Sequence, residues 1–294
     1  QNIYGLEEPK RQIKRIIAQW ISGKNKGHIL GLEGPPGTGK TTLAKYGIGN
    51  CIQDSDNTTR PFVFLPLGGS CNGSTLEGHN YTYVGSNWGK IVDSLMTTKC
   101  MNPIIYIDEL DKVSKTEHGK EIIGILTHLT DTSQNDKFHD KYFSSIDFDL
   151  SKCLFIFSYN DEQKVNPILK DRMYRITTKG YDGKQKIKIA NDYLIPTILK
   201  NVKFKKEDVI IPEETLKHIV DNMTDNEKGV RNLKRCLEII YTKLNLYRLM
   251  KPDSELFDKE KAIKVEFPFT VTIENVKKLI KKIDSSKAPF GMYI

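Results

Sequence analysis

Eight consecutive residues, Gly34-Pro35-Pro36-Gly37-Thr38-Gly39-Lys40-Thr41, follow the spacing G-x-x-x-x-G-K-[ST]. Glycines in such a run let successive backbone N–H groups turn toward one phosphate chain, and a helix opening at Lys40 adds the partial positive charge of its N-terminus. The Lys40 ammonium neutralises phosphate oxygens, and the Thr41 hydroxyl can ligate Mg²⁺. With this composition, roughly 0.02 matches to the pattern are expected by chance. A Gly/Pro turn beside a surface lysine is therefore the poorer account.

A second set of residues supplies acid–base chemistry. The run Ile104-Ile105-Tyr106-Ile107-Asp108-Glu109 reads as a buried strand ending in two acids, and ligands of open α/β sheets bind at that carboxyl edge. Asp108 can hold the water shell of Mg²⁺ while Glu109 polarises an attacking water. Acids often follow strands by chance, but this pair lies 68 residues after Lys40 and is the expected partner of a phosphate loop. Another buried run, Cys153 to Tyr159, ends in Asn160, an amide suited to sensing a γ-phosphate, although Asn commonly ends strands for turn reasons alone. Arg172, twelve residues on, is better placed to reach a neighbouring subunit's nucleotide than its own. Arg231, opening a later helix, can lean over the phosphates like a lid.

The elements that must position these groups are legible in the hydrophobic pattern. Short apolar runs at His28–Glu33, Pro61–Leu67, Pro103–Asp108 and Lys152–Ser158 predict strands. Helix-period stretches at Pro9–Ser22, Thr41–Cys51, Asn87–Lys99 and Lys120–Leu129 alternate with them, which implies a parallel sheet. Asp131–Asp149 reads as an excursion or hairpin. After Lys179 the pattern turns helical, with helices expected over Asp182–Tyr193, Glu213–Met223 and Gly229–Tyr247. Lys251–Glu266 reads as loose and charged, and a strand in Phe267–Ile273 precedes a short helix to Ile283. The expected organisation is an α/β nucleotide-binding domain over residues 1–178 and a smaller, mainly helical domain over 179–294.

Composition narrows the classes. Of 294 residues 38% are hydrophobic and 28% charged, which excludes disordered and collagen-like chains. No apolar run approaches the ~20 residues of a membrane helix. The net charge of +8 comes from scattered lysines, 37 Lys against 8 Arg, so nucleic-acid binding is the minor reading. Five cysteines (51, 71, 100, 153 and 236) form no CxxC pair, which disfavours structural zinc and disulfides and suits a reducing intracellular compartment, cytoplasm or organelle matrix. The N-terminus has no signal-peptide pattern and no initiator Met, as in a chain cut from a longer polypeptide.

In this order, the phosphate loop, Asp-Glu strand, Asn-ended strand and two arginines resemble an AAA+ ATPase, and more narrowly the ATPase module of Lon proteases. The resemblance rests also on Tyr4-Gly5-Leu6-Glu7, Gly34–Thr42, Leu67-Gly68-Gly69, Glu77-Gly78-His79 with Thr82-Tyr83-Val84-Gly85, Asp149-Leu150-Ser151-Lys152, Tyr193-Leu194-Ile195-Pro196 and Gly229-Val230-Arg231-Asn232-Leu233. It covers roughly residues 2–283. It implies a central parallel sheet in the order 5-1-4-3-2, ATP/ADP and Mg²⁺ as ligands, and a homo-hexamer or other ring that pulls unfolded polypeptide. It further implies Tyr83 and Val84 as the substrate-gripping pore loop, Arg172 as a finger acting in trans, Arg231 as a sensor acting in cis, and Tyr4 beside adenine. A Lon-type peptidase signature is not found, so no peptidase activity is expected of this chain alone. The chain departs from the Lon pattern at Glu117–Lys120 and Thr132–Asn135, and carries Trp88 where Pro is usual. A clamp-loader-like remodeller of nucleic acid is the alternative.

Overall fold

The computed structural model describes residues 4–22, 29–52, 59–68, 72–249 and 265–280. Readings that touch residues 2–3, His28, Gly69, Cys71, 251–264 and 281–283 lie outside these. The chain divides into two compact units, Gln1–Lys179 and Gly180–Ile294.

In the first unit, strands β1 (Ile29–Glu33), β2 (Phe62–Pro66), β3 (Ile104–Asp108), β4 (Leu154–Tyr159) and β5 (Tyr174–Thr177) pair in the order β2-β3-β4-β1-β5. Every pairing is parallel. Read from the other edge the order is 5-1-4-3-2, as the resemblance implies. The hydrophobic pattern picks out only the first four strands. β5 escapes it because Tyr174-Arg175-Ile176-Thr177 contains one aliphatic residue and no apolar run; Ile176 is buried and the other three are exposed at the sheet edge.

The central strands are apolar on both faces because helices cover both, as parallel sheets require. Alternation sends Leu30, Leu32, Ile104, Tyr106, Leu154 and Ile156 to one face, against Ile13 and Ile16 of the helix Glu7–Ser22 and Leu43 of the phosphate-loop helix. Ile105, Ile107, Phe155 and Phe157 take the other face, against Ile91, Leu95, Ile122 and Leu126. Each such side chain removed from water contributes about 1.5–3 kcal/mol. These layers hold the strand ends, and hence the candidate site, in place.

Two helices differ in detail from the pattern. The phosphate-loop helix opens as Lys40–Thr42, continues as a π-helix over Leu43–Ile48 and ends in a 3₁₀ turn at Gly49–Cys51; Gly47 and Gly49 weaken the regular ladder there. The helix Glu117–Leu129 starts three residues before its apolar period, after Thr116 in extended backbone. The stretch 131–149 contains the antiparallel hairpin Phe138–His139 with Asp147–Phe148.

The second unit is mainly helical, with Glu213–Asn222, Arg231–Leu249 and Ile273–Leu279 around a core that includes Leu216, Leu233, Leu237 and Leu244. Asp182 opens its first helix, Gly183–Ile189, with a reciprocal cap: Gln185 N–H donates to Asp182 Oδ1 (2.7 Å) and Asp182 N–H to Gln185 Oε1 (3.1 Å). The expected strand near Phe267 is short: Phe269–Thr270 pairs in parallel with Val209–Ile210.

Candidate active site

The phosphate loop leaves β1 with Gly34 at φ +150°, Gly37 at +74° and Gly39 at +86°, backbone that side-chain-bearing residues rarely adopt. At Gly34 space is equally limiting: a Cβ would lie 2.1 Å from Thr178 Oγ1 and 2.3 Å from Thr178 O. Thr178 closes β5 onto the loop. Its N–H donates to Glu33 O (2.7 Å), and its hydroxyl lies 3.1 Å from that of Thr38, which donates to Pro35 O (2.9 Å). Thr178 carries no sequence signal, because its partners come from β1 and the loop.

Lys40 is buried and donates to Gly34 O (2.6 Å), Pro35 O (3.0 Å) and Asn160 Oδ1 (2.8 Å). Lys40 and Asn160, 120 residues apart, thus meet at the end of β4. Pro35, Pro36 and Thr38 lie in the loop itself, and Thr42 follows Thr41 in the first helical turn.

Period-2 alternation aims Tyr106 and Asp108 of β3, and Ser158 just across on β4, toward the phosphate-loop side. Thr41 Oγ1 and Tyr106 Oη are 3.1 Å apart. The Ser158 hydroxyl reaches the Tyr106 phenol and donates to Asp108 Oδ1. Glu109 N–H donates to the same Oδ1 at 3.0 Å. Burial pushes the Tyr106 phenol up to about 12, with the Asp108 charge adding to it against the hydrogen bonds shared with Ser158 and Thr41. Neither Tyr106 nor Ser158 was singled out by the motif.

Among the described residues no group of three or more His, Cys, Asp or Glu side chains could cage a metal. Mg²⁺ does not need one: it keeps several waters and is bound through one or two side-chain oxygens plus phosphates. The hydroxyl of Thr41 and the carboxylate of Asp108 are hard oxygen donors joined through Tyr106 and Ser158, and fit that demand.

Glu109 is exposed and sits at φ +60°, an uncommon conformation for a residue with a side chain. Its carboxylate lies over the end of β2: a Cβ on Gly68 would fall 1.8 Å from Glu109 Oε2. Gly68→Ala should therefore push this flexible carboxylate aside at little cost to the fold. A displacement near 1 Å at a reacting group costs up to about 10²-fold. We expect turnover to fall steeply while nucleotide affinity and melting temperature stay near wild type, as paired binding, kinetic and thermal measurements would show. Unchanged turnover would remove Glu109's observed position from the mechanism.

Arg172 ends the short helix Pro167–Arg172, donating from Nη1 to Thr127 O (2.6 Å) and from Nη2 to Asp131 Oδ2 (3.1 Å). Tyr4 is half-buried just before the first helix. Arg231 is exposed at the start of its helix in the second unit, where Glu227 accepts the N–H groups of Arg231 (3.0 Å) and Asn232 (2.6 Å).

Tyr83 is 66% exposed and Val84 fully so, at the tip of a loop that also exposes Tyr81. The base of this loop is pinned. His79 N–H donates to Asn87 O (3.0 Å), and the fully buried Asp140 accepts from Gly89 N–H (2.8 Å). Trp88 packs against Tyr142 and Phe143 and donates to Asp93 (3.0 Å), so it anchors the loop. Asp140 gave no sequence signal, since its partner is a backbone N–H far away in sequence.

A family model described as ATPase family associated with various cellular activities (AAA) matches residues 30–181, more than half of the chain. The chain belongs to the AAA family of ATPases. The match takes in the phosphate loop, Asp108, Glu109, Asn160 and Arg172. The chain is also 38% identical over 250 residues to a Lon protease homolog of Acanthamoeba polyphaga mimivirus, covering 84% of this chain and 24% of that protein. It is 36% identical over 287 residues to the Lon protease of Campylobacter concisus, covering 95% and 33% respectively. With the mitochondrial Lon protease homolog of Schizosaccharomyces pombe, identity is 36% over 260 residues, covering 88% and 23%. The chain thus spans about a quarter to a third of the length of these relatives, while the similarity to Lon runs over most of the chain itself. Among the described residues no helix is long and apolar enough to cross a membrane.

Proposed function

We propose that this chain is a Mg²⁺-dependent ATPase motor of the Lon type, which in a ring of subunits couples hydrolysis to pulling unfolded polypeptide. The observation that carries the ATPase half is the meeting of Lys40, Asn160, Thr41 and Asp108 at the carboxyl edge of one sheet. The loop N–H groups and Lys40 bind the phosphates, and Asn160 orients the terminal one. Glu109 takes the proton of the attacking water. Bound Mg²⁺ would supply charge neutralisation across the transferring phosphate. Arg172 serves a neighbouring subunit, and Arg231 belongs to a lid formed by residues 179–294, with Tyr4 at the adenine. Four described cysteines are free thiols and five relatives carry the word mitochondrial in their names, which supports a reducing compartment, cytoplasm or organelle matrix.

The polypeptide half rests on the loop tip. Residues 78–89 contain no Lys or Arg, whereas contact with a nucleic-acid backbone needs cations; the exposed Tyr83 and Val84 suit an extended peptide. Tyr83→Ala should leave basal ATP hydrolysis close to wild type and abolish its stimulation by an unfolded protein such as casein. Equal stimulation in both forms would return Tyr83 to an ordinary surface aromatic, and stimulation by DNA alone would favour the clamp-loader-like alternative.

A further inference from the structure

Tyr106 is fully buried two residues before Asp108, yet its hydroxyl is turned to Thr41 rather than lost in the core. Thr41–Tyr106 and Ser158–Asp108 are hydrogen-bonded pairs, and the Ser158 hydroxyl lies against the Tyr106 phenol, so the four groups follow one another as a chain. Its polarity follows from its end group, because an ionised carboxylate only accepts. Ser158 O–H goes to Asp108 Oδ1, so Tyr106 O–H goes to Ser158 and Thr41 O–H to Tyr106. Thr41 Oγ1 then keeps its lone pairs for an outside ligand. On Asp108, Oδ1 accepts from Ser158 and from Glu109 N–H, so the described hydrogen bonds of this carboxylate all fall on one oxygen.

We propose that Tyr106 is a positioning residue for the metal. Its phenol, with Ser158, ties Thr41 and Asp108 into one unit and selects which lone pairs the two offer to Mg²⁺. The inference rests on the Mg²⁺-nucleotide reading above and goes beyond it, since the acid motif passes through Tyr106 without giving it a role. The bland alternative is a core aromatic whose hydroxyl happens to be satisfied; its loss would then alter stability and nothing at the metal. Groups that hydrogen-bond metal ligands typically contribute 10–100-fold to affinity.

Tyr106→Phe tests this with little risk to folding, because the ring that sits 5.8 Å from Phe62 and 5.6 Å from Phe64 is kept. The measurements are titration of the full chain with a fluorescent ADP in EDTA and at stepped Mg²⁺, and Mn²⁺ binding to the ADP-loaded protein by electron paramagnetic resonance. ADP affinity in EDTA should be unchanged, while Mn²⁺ affinity and the Mg²⁺-dependent gain in ADP affinity fall about tenfold. Ser158→Ala should do the same and Ser158→Thr, which restores a hydroxyl, should not. Wild-type Mn²⁺ affinity in folded Tyr106→Phe and Ser158→Ala, alongside a weakened Thr41→Val, overturns this inference alone. A wild-type chain whose ADP binding ignores Mg²⁺ overturns the underlying reading, and this inference with it.

Discussion

Arg172→Ala should lower ATP turnover by roughly 10³–10⁵-fold, the range over which an arginine finger acts in related phosphoryl transfers. The loss should be recoverable by mixing. Charge builds on the terminal phosphoryl oxygens in the transition state, and a guanidinium placed there stabilises it. Within its own subunit Arg172 is tethered, through Nη1 to the Thr127 carbonyl and through Nη2 to Asp131. The Asp131 carboxyl is held below the ordinary carboxylate range by the Ser133 hydroxyl and N–H first, and by Arg172 as well. A carboxyl lowered in this way keeps its contact above its unfolded value and loses it only as pH falls through the lowered one, so the tether is intact at neutral pH. It fixes the helix end and leaves the side chain part-exposed.

The competing account is a surface ion pair, worth about 0–1 kcal/mol, which would touch stability slightly and turnover hardly at all. Two measurements separate them. Specific activity should rise with protein concentration as subunits associate. Mixing Arg172→Ala with Lys40→Ala subunits, which bind nucleotide poorly but still carry the arginine, should restore turnover. Flat activity in a verified monomer, with no rescue on mixing, would leave only the ion pair.

For Glu109→Gln the expected result is a turnover lower by roughly 10²–10⁴-fold, the usual contribution of a positioned general base. Nucleotide affinity should stay close to wild type. The amide keeps the size of the carboxylate, and the groups proposed to hold phosphate, Lys40, Thr41 and the loop N–H groups, are untouched. What is lost is a group able to take a proton from water. Asp108 is the natural substitute, but its Oδ1 already accepts from Ser158 and from the Glu109 N–H. Single-turnover hydrolysis with saturating ATP, set beside equilibrium binding, measures both sides. Turnover like wild type would transfer the role elsewhere; weakened binding in step with turnover would make Glu109 a ligand group rather than a base.

The phosphate loop, the Asp-Glu strand end and the first four strands of the sheet were legible in the amino-acid order alone. Their signals are local: glycine spacing serves a backbone turn, and a run of Ile and Phe serves a strand buried on both faces. The strand order and the family were accessible through motif resemblance rather than through periodicity, which says nothing about which strand lies beside which. β5 was hidden because Tyr-Arg-Ile-Thr contains no apolar run, whereas β2, an edge strand with one buried residue as well, reads Phe-Val-Phe-Leu-Pro. Only the tertiary structure decided the contacts that tune the site. Thr178 closes on Gly34 across 144 residues, and Gly68 makes room for Glu109 across 41. Ser158 meets Asp108 because β3 and β4 are neighbours in register. Tyr106 showed the same limit, since in an unbroken apolar run its ring looks like any other core aromatic. Its hydroxyl acquires a role only when the sheet brings Thr41 and Ser158 within hydrogen-bonding distance, and that proximity is a property of strand pairing and helix packing rather than of neighbouring residues.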